Sequence, residues 1–306
     1  MKILVFTEKP FAQAAVKAIK EKISASGNEL ILVEGGTRED FVKSIADANA
    51  VIVRSDKVDK ALIDNAPNLK VIVRAGAGYD NIDLEAATER KICVMNTPGQ
   101  NSNAVAELVF GMAVMMCRNL YNGKSGSELK DKSLGIYAYG QVGRNVARIA
   151  KGFGMKVSAL DKFVTDDVMT TDGVTPIHEV HELFANNNVV SLHIPATAET
   201  KNSIGYDLVT LMPKNAILIN TARKEIIDES GLIKALEERS DIKYVSDIMP
   251  EAAKLFEEKF ASRVFFTPQK MGAQTAEANF NAGLAAADQV LAYLNDGWNK
   301  FQVNKF

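Results

Sequence analysis

The chain has 306 residues, 47% of them hydrophobic and 24% charged, with a formal net charge of −2. That is enough apolar material for two domains, each with its own buried core. The balanced charge excludes the basic footprint of a nucleic-acid or anionic-membrane binder. The opening "MKILVFTEKP" is too short in its apolar run for a secretion signal and reads as a first strand. The longest apolar stretch, Ala104 to Cys117, is broken by Glu107, so no membrane span is expected. Cys93 and Cys117 both sit in apolar surroundings, which suits buried thiols of a reducing cytoplasm better than a disulfide or a metal pair.

In chain order, the short apolar runs "ILVF", "ELILV", "AVIVR", "KVIVR" and "ICVMN" alternate with helical patterns such as "PFAQAAVKAIKEKI". After Gly126 the rhythm resumes with "LGIYAY", "KVSAL", "VVSLHI", "AILIN", "IKYVSDI" and "RVFFT". Continuous apolar strands, each followed by a helix, predict parallel sheets covered on both faces. The fold expected is therefore α/β, with two doubly wound parallel-sheet domains linked by long helices, Asn103 to Leu120 and Ala273 to Leu294. The boundary is expected near Pro98. Residues 1–98, completed by 282–306, would form one domain, and 99–281 the other.

In "LGIYAYGQVGRNVARIA" a strand, a turn and a helix follow one another, with Ala138, Gly140, Gln141, Val142 and Gly143 in or after the turn. This is G-x-G-x-x-G with alanine at the first glycine. Gly140 would let the backbone approach a pyrophosphate, Gly143 would let the helix pack on its strand, and the helix N-terminus would face the anion. Those residues alone equally fit an ordinary strand–helix turn. Asp161 adds weight: it ends the next strand, 18 residues after Gly143, where a carboxylate reads the ribose 2′-hydroxyl and repels a 2′-phosphate. NAD is the cofactor expected.

The segments "RAGAGYDNIDLEAA", "VMNTPGQNSNAVAEL", "SLHIPATAETKNSI", "INTARKEIIDESGL" and "TPQKMGAQTAEA" resemble the D-isomer-specific 2-hydroxyacid dehydrogenases along essentially the whole chain. The resemblance implies a Rossmann-type NAD domain and a flavodoxin-like substrate domain. It also implies a homodimer formed through the Asn103–Leu120 region. "VRAGAGYDNID" with "NTPG.N..AVAEL" is most similar to the branch that oxidises 3-phosphoglycerate at the start of phosphorylated serine synthesis, which implies that small molecule as substrate. With no segment after the returning helix, the chain reads as a short form without regulatory domains.

Carried onto this sequence, the resemblance makes Arg223 of "NTAR" the substrate arginine, with Thr221 and Ala222 on the nicotinamide side. Asp247 becomes the acid near the carboxamide, and His193, Ile194 and Pro195 the loop across the cofactor. Gly272 and Ala273 match the glycine and alanine that follow the acid–base residue. That residue is a His in the family, oriented by a Glu. Counting from Asp247, the Glu position holds Ala252 and the His position holds Lys270, with Gln269 the neighbouring alternative. An amine needs no carboxylate to orient it, and one beside it would hold it protonated. Burial and the Arg223 guanidinium favour the neutral base. An inactive relative, or an exposed loop lysine, is the competing reading.

Arg54 in "VIVRSD" and Arg74 in "VIVRAG" end predicted parallel strands, where open α/β sheets bind ligands. With Ser55, and with Ala75 and Gly76 of the glycine-rich backbone, they are expected to hold the phosphate. Arginines capping strands and pairing with Asp56 or Asp80 are the plainer alternative. Two function classes stay open: a dehydrogenase of 3-phosphoglycerate, or of glyoxylate, hydroxypyruvate or another 2-hydroxy acid, and an NADH-sensing binding protein.

Overall fold

The computed structural model describes the whole chain, Met1–Phe306, which divides into two compact units. Unit 1 comprises Met1–Asn101 with Thr275–Phe306, and unit 2 comprises Ser102–Gln274.

Unit 1 is built on β1 (Lys2–Thr7), β2 (Glu29–Glu34), β3 (Ala50–Val53), β4 (Val71–Arg74) and β5 (Cys93–Asn96). They pair in parallel in the order β2-β1-β3-β4-β5, the flavodoxin-like arrangement. Val53 pairs with Arg74 and Arg74 with Asn96, so the loops that follow these strands emerge side by side. All four residues of β3 are buried, as a strand with helices on both faces requires. The helices Gln13–Ala25 and Ala276–Asp296 cover one face, packing around Ile3, Val5, Ile52 and Val73. Phe41, Leu62 and Ala86, from three shorter helices, cover the other, where the Phe6 and Phe41 rings stack at 3.9 Å. The last helix starts at Ala276, after the expected Ala273, because the Thr275 hydroxyl caps it by accepting from the Ala278 N–H at 3.1 Å.

Unit 2 holds β6 (Ser133–Tyr137), β7 (Lys156–Leu160), β8 (Thr175–Pro176), β9 (Val189–Leu192), β10 (Ile217–Asn220), β11 (Lys243–Ser246) and β12 (Val264–Phe266). The order β12-β11-β10-β9-β6-β7-β8 is Rossmann-like, with the winding reversing between β6 and β9. A dinucleotide crevice belongs outside the carboxyl ends of those two strands. β8, two residues pairing only with β7, is too short to leave an apolar run in the sequence.

The helix Ser102–Cys117 ends before the expected Leu120 because Asn119, Leu120 and Tyr121 take φ of 51°, 55° and 57°. Left-handed non-glycine residues cost roughly 1–2 kcal/mol each, so side chains must hold the turn. Lys243 Nζ donates to the Met116 carbonyl at 2.7 Å and to Asn119 Oδ1 at 3.0 Å, and Asn119 Nδ2 donates to the Ser125 carbonyl at 2.9 Å. Cys93 and Cys117 are buried free thiols. No helix is long and apolar enough to cross a membrane.

Candidate active site

At the turn after β6, Ala138 takes φ 82°, the conformation the missing first glycine would adopt without strain. Gly143 cannot be replaced so easily, since a Cβ there would lie 2.3 Å from the Ala138 carbonyl oxygen. Relief of the left-handed strain in Ala138→Gly is offset by the entropy of a freer unfolded chain. The expected result is a variant as stable as wild type or up to ~1 kcal/mol more so, whereas Gly143→Ala loses about 1–3 kcal/mol by overpacking. Urea midpoints check the ordering, and a clear loss in Ala138→Gly contradicts it.

The helix Gln141–Gly152 begins at Gly140 with no side-chain cap, and a Cβ at Gly140 would meet nothing within 4 Å. Open space above an uncapped helix N-terminus fits a pyrophosphate. Gln141 is exposed, and Val142 packs against the core below. Asp161 is drawn to the same turn. Its Oδ2 accepts the Tyr139 N–H at 2.7 Å, and its Oδ1 accepts those of Phe163 and Val164 at 2.7 and 3.0 Å. The carboxylate is therefore fixed at the end of β7.

The carboxyl ends of β9, β10 and β11 carry the second half of the crevice. Asp247 is fully buried; its Oδ2 accepts the Gly272 N–H at 2.8 Å, while its Oδ1 is buried without a partner. An orphaned buried carboxylate oxygen fits the amide hydrogens of a nicotinamide carboxamide. Burial raises the Asp247 carboxyl above its ordinary range, against the lowering pull of Lys270, of the Gly272 and Met271 N–H groups and of Arg223. A Cβ on Gly272 would sit 2.8 Å from Asp247 Oδ2, so that approach requires glycine; Ala273 follows it, half-buried. Thr221 and Ile194 are buried and Pro195 is exposed.

The His193 backbone N–H donates to the Tyr137 carbonyl, and the ring Nε2 lies 2.9 Å from Ser191 Oγ. Thr221 Oγ1 stands 3.5 Å from its Nδ1. Burial pushes the imidazole down to about 3, so it is neutral at working pH. The unfolded chain takes up this proton below about pH 6.5 and the folded chain only near 3. Stability therefore falls as pH drops through that interval. His193→Gln should flatten that part of the urea-midpoint profile between pH 6.5 and 4; an unchanged slope means the imidazole titrates normally.

Arg223 and Lys270 meet at one oxygen. The Ala222 carbonyl accepts Arg223 Nη1 at 2.9 Å and Lys270 Nζ at 2.7 Å, which sets guanidinium and amine side by side. The amine was expected to be buried and to do without a carboxylate; Lys270 is instead exposed, and the charge of Asp247 interacts with both cations. Position 252 supplies no acid: Ala252, half-buried, packs against the core, and its N–H donates to Glu229 Oε2 at 2.7 Å. A residue that the motifs did not single out, Asn220, supports the turn beneath this shelf. Its Nδ2 donates to the Arg223 carbonyl and its Oδ1 accepts the Ala222 N–H, both at 2.9 Å. The available signal was an amide ending the otherwise apolar strand "AILIN".

In unit 1 the strand-end residues do not all converge. Arg54 is turned inward: Nη1 donates to the Lys9 and Pro10 carbonyls at 3.1 and 3.0 Å, Nη2 to Asn279 Oδ1, and the guanidinium lies 5.1 Å from the centre of the Phe11 ring. Asp56 accepts the Arg54 backbone N–H at 3.0 Å, not its guanidinium. Arg54 thus ties the loop after β1 to the last helix. Arg74 donates Nε to the Arg54 carbonyl at 2.9 Å and lays its guanidinium across Gly76, where a Cβ would fall 1.6 Å from Nη1. Gly76 also has φ 154°, so the cradle needs glycine twice over. Ser55 is exposed and Ala75 is buried.

The profile of the family described as "D-isomer specific 2-hydroxyacid dehydrogenase, NAD binding domain" matches residues 104–269. Over 312 residues the chain is 36% identical to a D-3-phosphoglycerate dehydrogenase of Methanocaldococcus jannaschii, covering 95% of this chain and 57% of that protein. It spans a little over half the length of that curated relative. It is 34% identical over 274 residues to a glyoxylate reductase of Thermococcus litoralis, covering 83% of this chain and 82% of the relative. A solved structure of NAD+-bound 3-phosphoglycerate dehydrogenase from Entamoeba histolytica is 49% identical, with a TM-score of 0.89 over 100% of this chain and 99% of that one. The reversed winding at β6 and β9, the glycine turn and the uncapped helix are what an NAD-binding domain requires, and with these likenesses the chain belongs to the D-isomer-specific 2-hydroxyacid dehydrogenase family.

Proposed function

We propose that this protein oxidises D-3-phosphoglycerate to 3-phosphohydroxypyruvate with NAD, the opening step of phosphorylated serine synthesis. The observation that carries this reading is the shelf at Ala222, where a fixed guanidinium and an amine share one carbonyl beside a buried carboxylate. Gly140, the N-terminal N–H groups of the following helix and Asp161 hold the pyrophosphate and ribose. Asp247, Thr221, His193, Ile194 and Pro195 enclose the nicotinamide, with Gly272 and Ala273 beside Asp247. When bound, NAD+ supplies the acceptor for a hydride. Arg223 grips the substrate carboxylate and the C2 oxygen in its planar fork and polarises that oxygen. Lys270 takes the hydroxyl proton as the C2–H bond gives up its electron pair, and returns it in the reverse direction. Arg74, over Gly76 and flanked by Ser55 and Ala75, recognises the phosphate. A homodimer is part of the proposal, tested by sedimentation at micromolar concentration.

A second reading, reduction of glyoxylate or hydroxypyruvate, is favoured by one observation: Arg54 is committed to backbone carbonyls and Asn279, which leaves one fewer cation for a phosphate. Initial rates with 3-phosphoglycerate and NAD+, and with glyoxylate and NADH, decide between them. Arg74→Gln should raise KM for 3-phosphoglycerate about 10- to 100-fold, the loss of one charge-assisted contact, and leave glyoxylate kinetics within twofold. Equal losses on both substrates support the second reading. Turnover of neither overturns the proposed reaction and leaves another 2-hydroxy acid or an NADH-sensing binding protein.

A further inference from the structure

We propose that Asn220 is a positioning residue for both cations of the site, acting through the Ala222 carbonyl. The chain leaves the sheet at Asn220, so Thr221, Ala222 and Arg223 have no strand ladder to orient their peptide groups. The Asn220 side chain is fully buried and replaces that ladder. Its oxygen accepts the Ala222 N–H and its nitrogen donates to the Arg223 carbonyl, both at 2.9 Å. The two peptide groups so clamped flank the one between Ala222 and Arg223. That middle group carries the carbonyl to which Lys270 and Arg223 donate.

The anchor is itself held. The Asn220 backbone carbonyl accepts the Asp247 N–H at 3.2 Å, joining the strand end to the carboxylate that acts on both cations. Only an amide side chain offers a donor and an acceptor at this spacing. Aspartate lacks the donor, and serine is too short to reach both groups. The structure thus distinguishes Asn220 from the neighbouring buried polar residue Ser246, whose hydroxyl bonds Asn220 and the Ile248 N–H but not the shelf.

The kinetic part of this proposal rests on the function proposed above, so the test includes a readout that needs no turnover. Lysines are reductively 13C-methylated, and the Lys270 resonance, identified by its absence from Lys270→Arg, is titrated in wild type, Asn220→Ser and Ser246→Ala without substrate. Once the Ala222 carbonyl is misplaced, the ammonium loses an acceptor. Asn220→Ser should therefore move the Lys270 titration at least 0.5 unit towards lower pH and reduce kcat at least tenfold, with the NAD Kd within threefold. Ser246→Ala should lower the melting temperature yet leave the titration in place and keep at least half of kcat. A folded Asn220→Ser with wild-type titration and kcat overturns the proposal, since Asn220 would then merely close a loop. If Asn220→Ser fails to fold, the isosteric Asn220→Asp takes its place, and wild-type kcat there overturns the proposal equally. A shifted titration in a protein that turns over no 2-hydroxy acid supports the role of Asn220 and refutes the reaction instead.

Discussion

Lys270→Ala should lower NAD+-dependent oxidation of 3-phosphoglycerate by about 10²- to 10⁴-fold, the range a positioned proton acceptor contributes. The affinity for NAD should change little, because the amine is bonded to the Ala222 carbonyl on the shelf rather than to the glycine turn. A small primary amine added to the variant should restore part of the rate, more as pH rises and the free base accumulates. Gln269→Ala is the control. Gln269 is exposed, and its backbone carbonyl, which accepts the Thr267 hydroxyl at 2.8 Å, survives the substitution. Near-normal turnover is expected there. If Gln269→Ala is the crippled variant and Lys270→Ala the mild one, the alternative placement at Gln269 holds and the proposed base is wrong.

Arg223→Gln should lower kcat/KM by a similar factor for a different reason. Two charge-assisted hydrogen bonds at about 1.5–3 kcal/mol each amount to roughly 10² to 10⁴ in rate. Arg223→Lys should recover only a small part, because an ammonium cannot hold carboxylate and C2 oxygen in one plane. The fold has little at stake: the guanidinium bonds only the adjacent Ala222 carbonyl, whereas the backbone of Arg223 is held by Asn220 and is unaffected. Melting temperature and NAD binding near wild type should therefore accompany the kinetic loss. A parallel fall in NAD affinity would place Arg223 in the cofactor pocket alone.

Much of this was legible in the sequence because parallel strands buried on both faces must be apolar throughout. "AVIVR", "KVIVR" and "AILIN" announce themselves, whereas Thr175–Pro176, an edge strand of two residues, does not. The glycine turn and Asp161 were readable from spacing because they lie on consecutive elements. The pairing of Arg223 with Lys270 was not: it depends on where two loops, far apart in sequence, deliver a carbonyl and an amine. Arg54 shows the opposite limit. Its place at a strand end was correct, but Phe11, Pro10 and Asn279, which draw the guanidinium inward, come from segments no local pattern connects to it. At Asn220 the amide ending an apolar strand was visible, but the peptide groups of Ala222 and Arg223 that it bonds carry no pattern of their own.

The interruption of unit 1 by the whole of Ser102–Gln274 sets the order in which the protein can mature on the ribosome. The five-stranded sheet is synthesised first, but one of its faces, with Ile3, Val5, Ile52, Val73 and Met95, is sealed by Ala282, Ala286 and Val290 of the last helix. At about 5–20 residues per second, that greasy face waits on the order of ten seconds or longer for its cover. The middle unit, contiguous in sequence, can fold during the wait. The sheet is therefore completed only after the unit inserted into it has been made, and until then the nascent chain carries its apolar face uncovered.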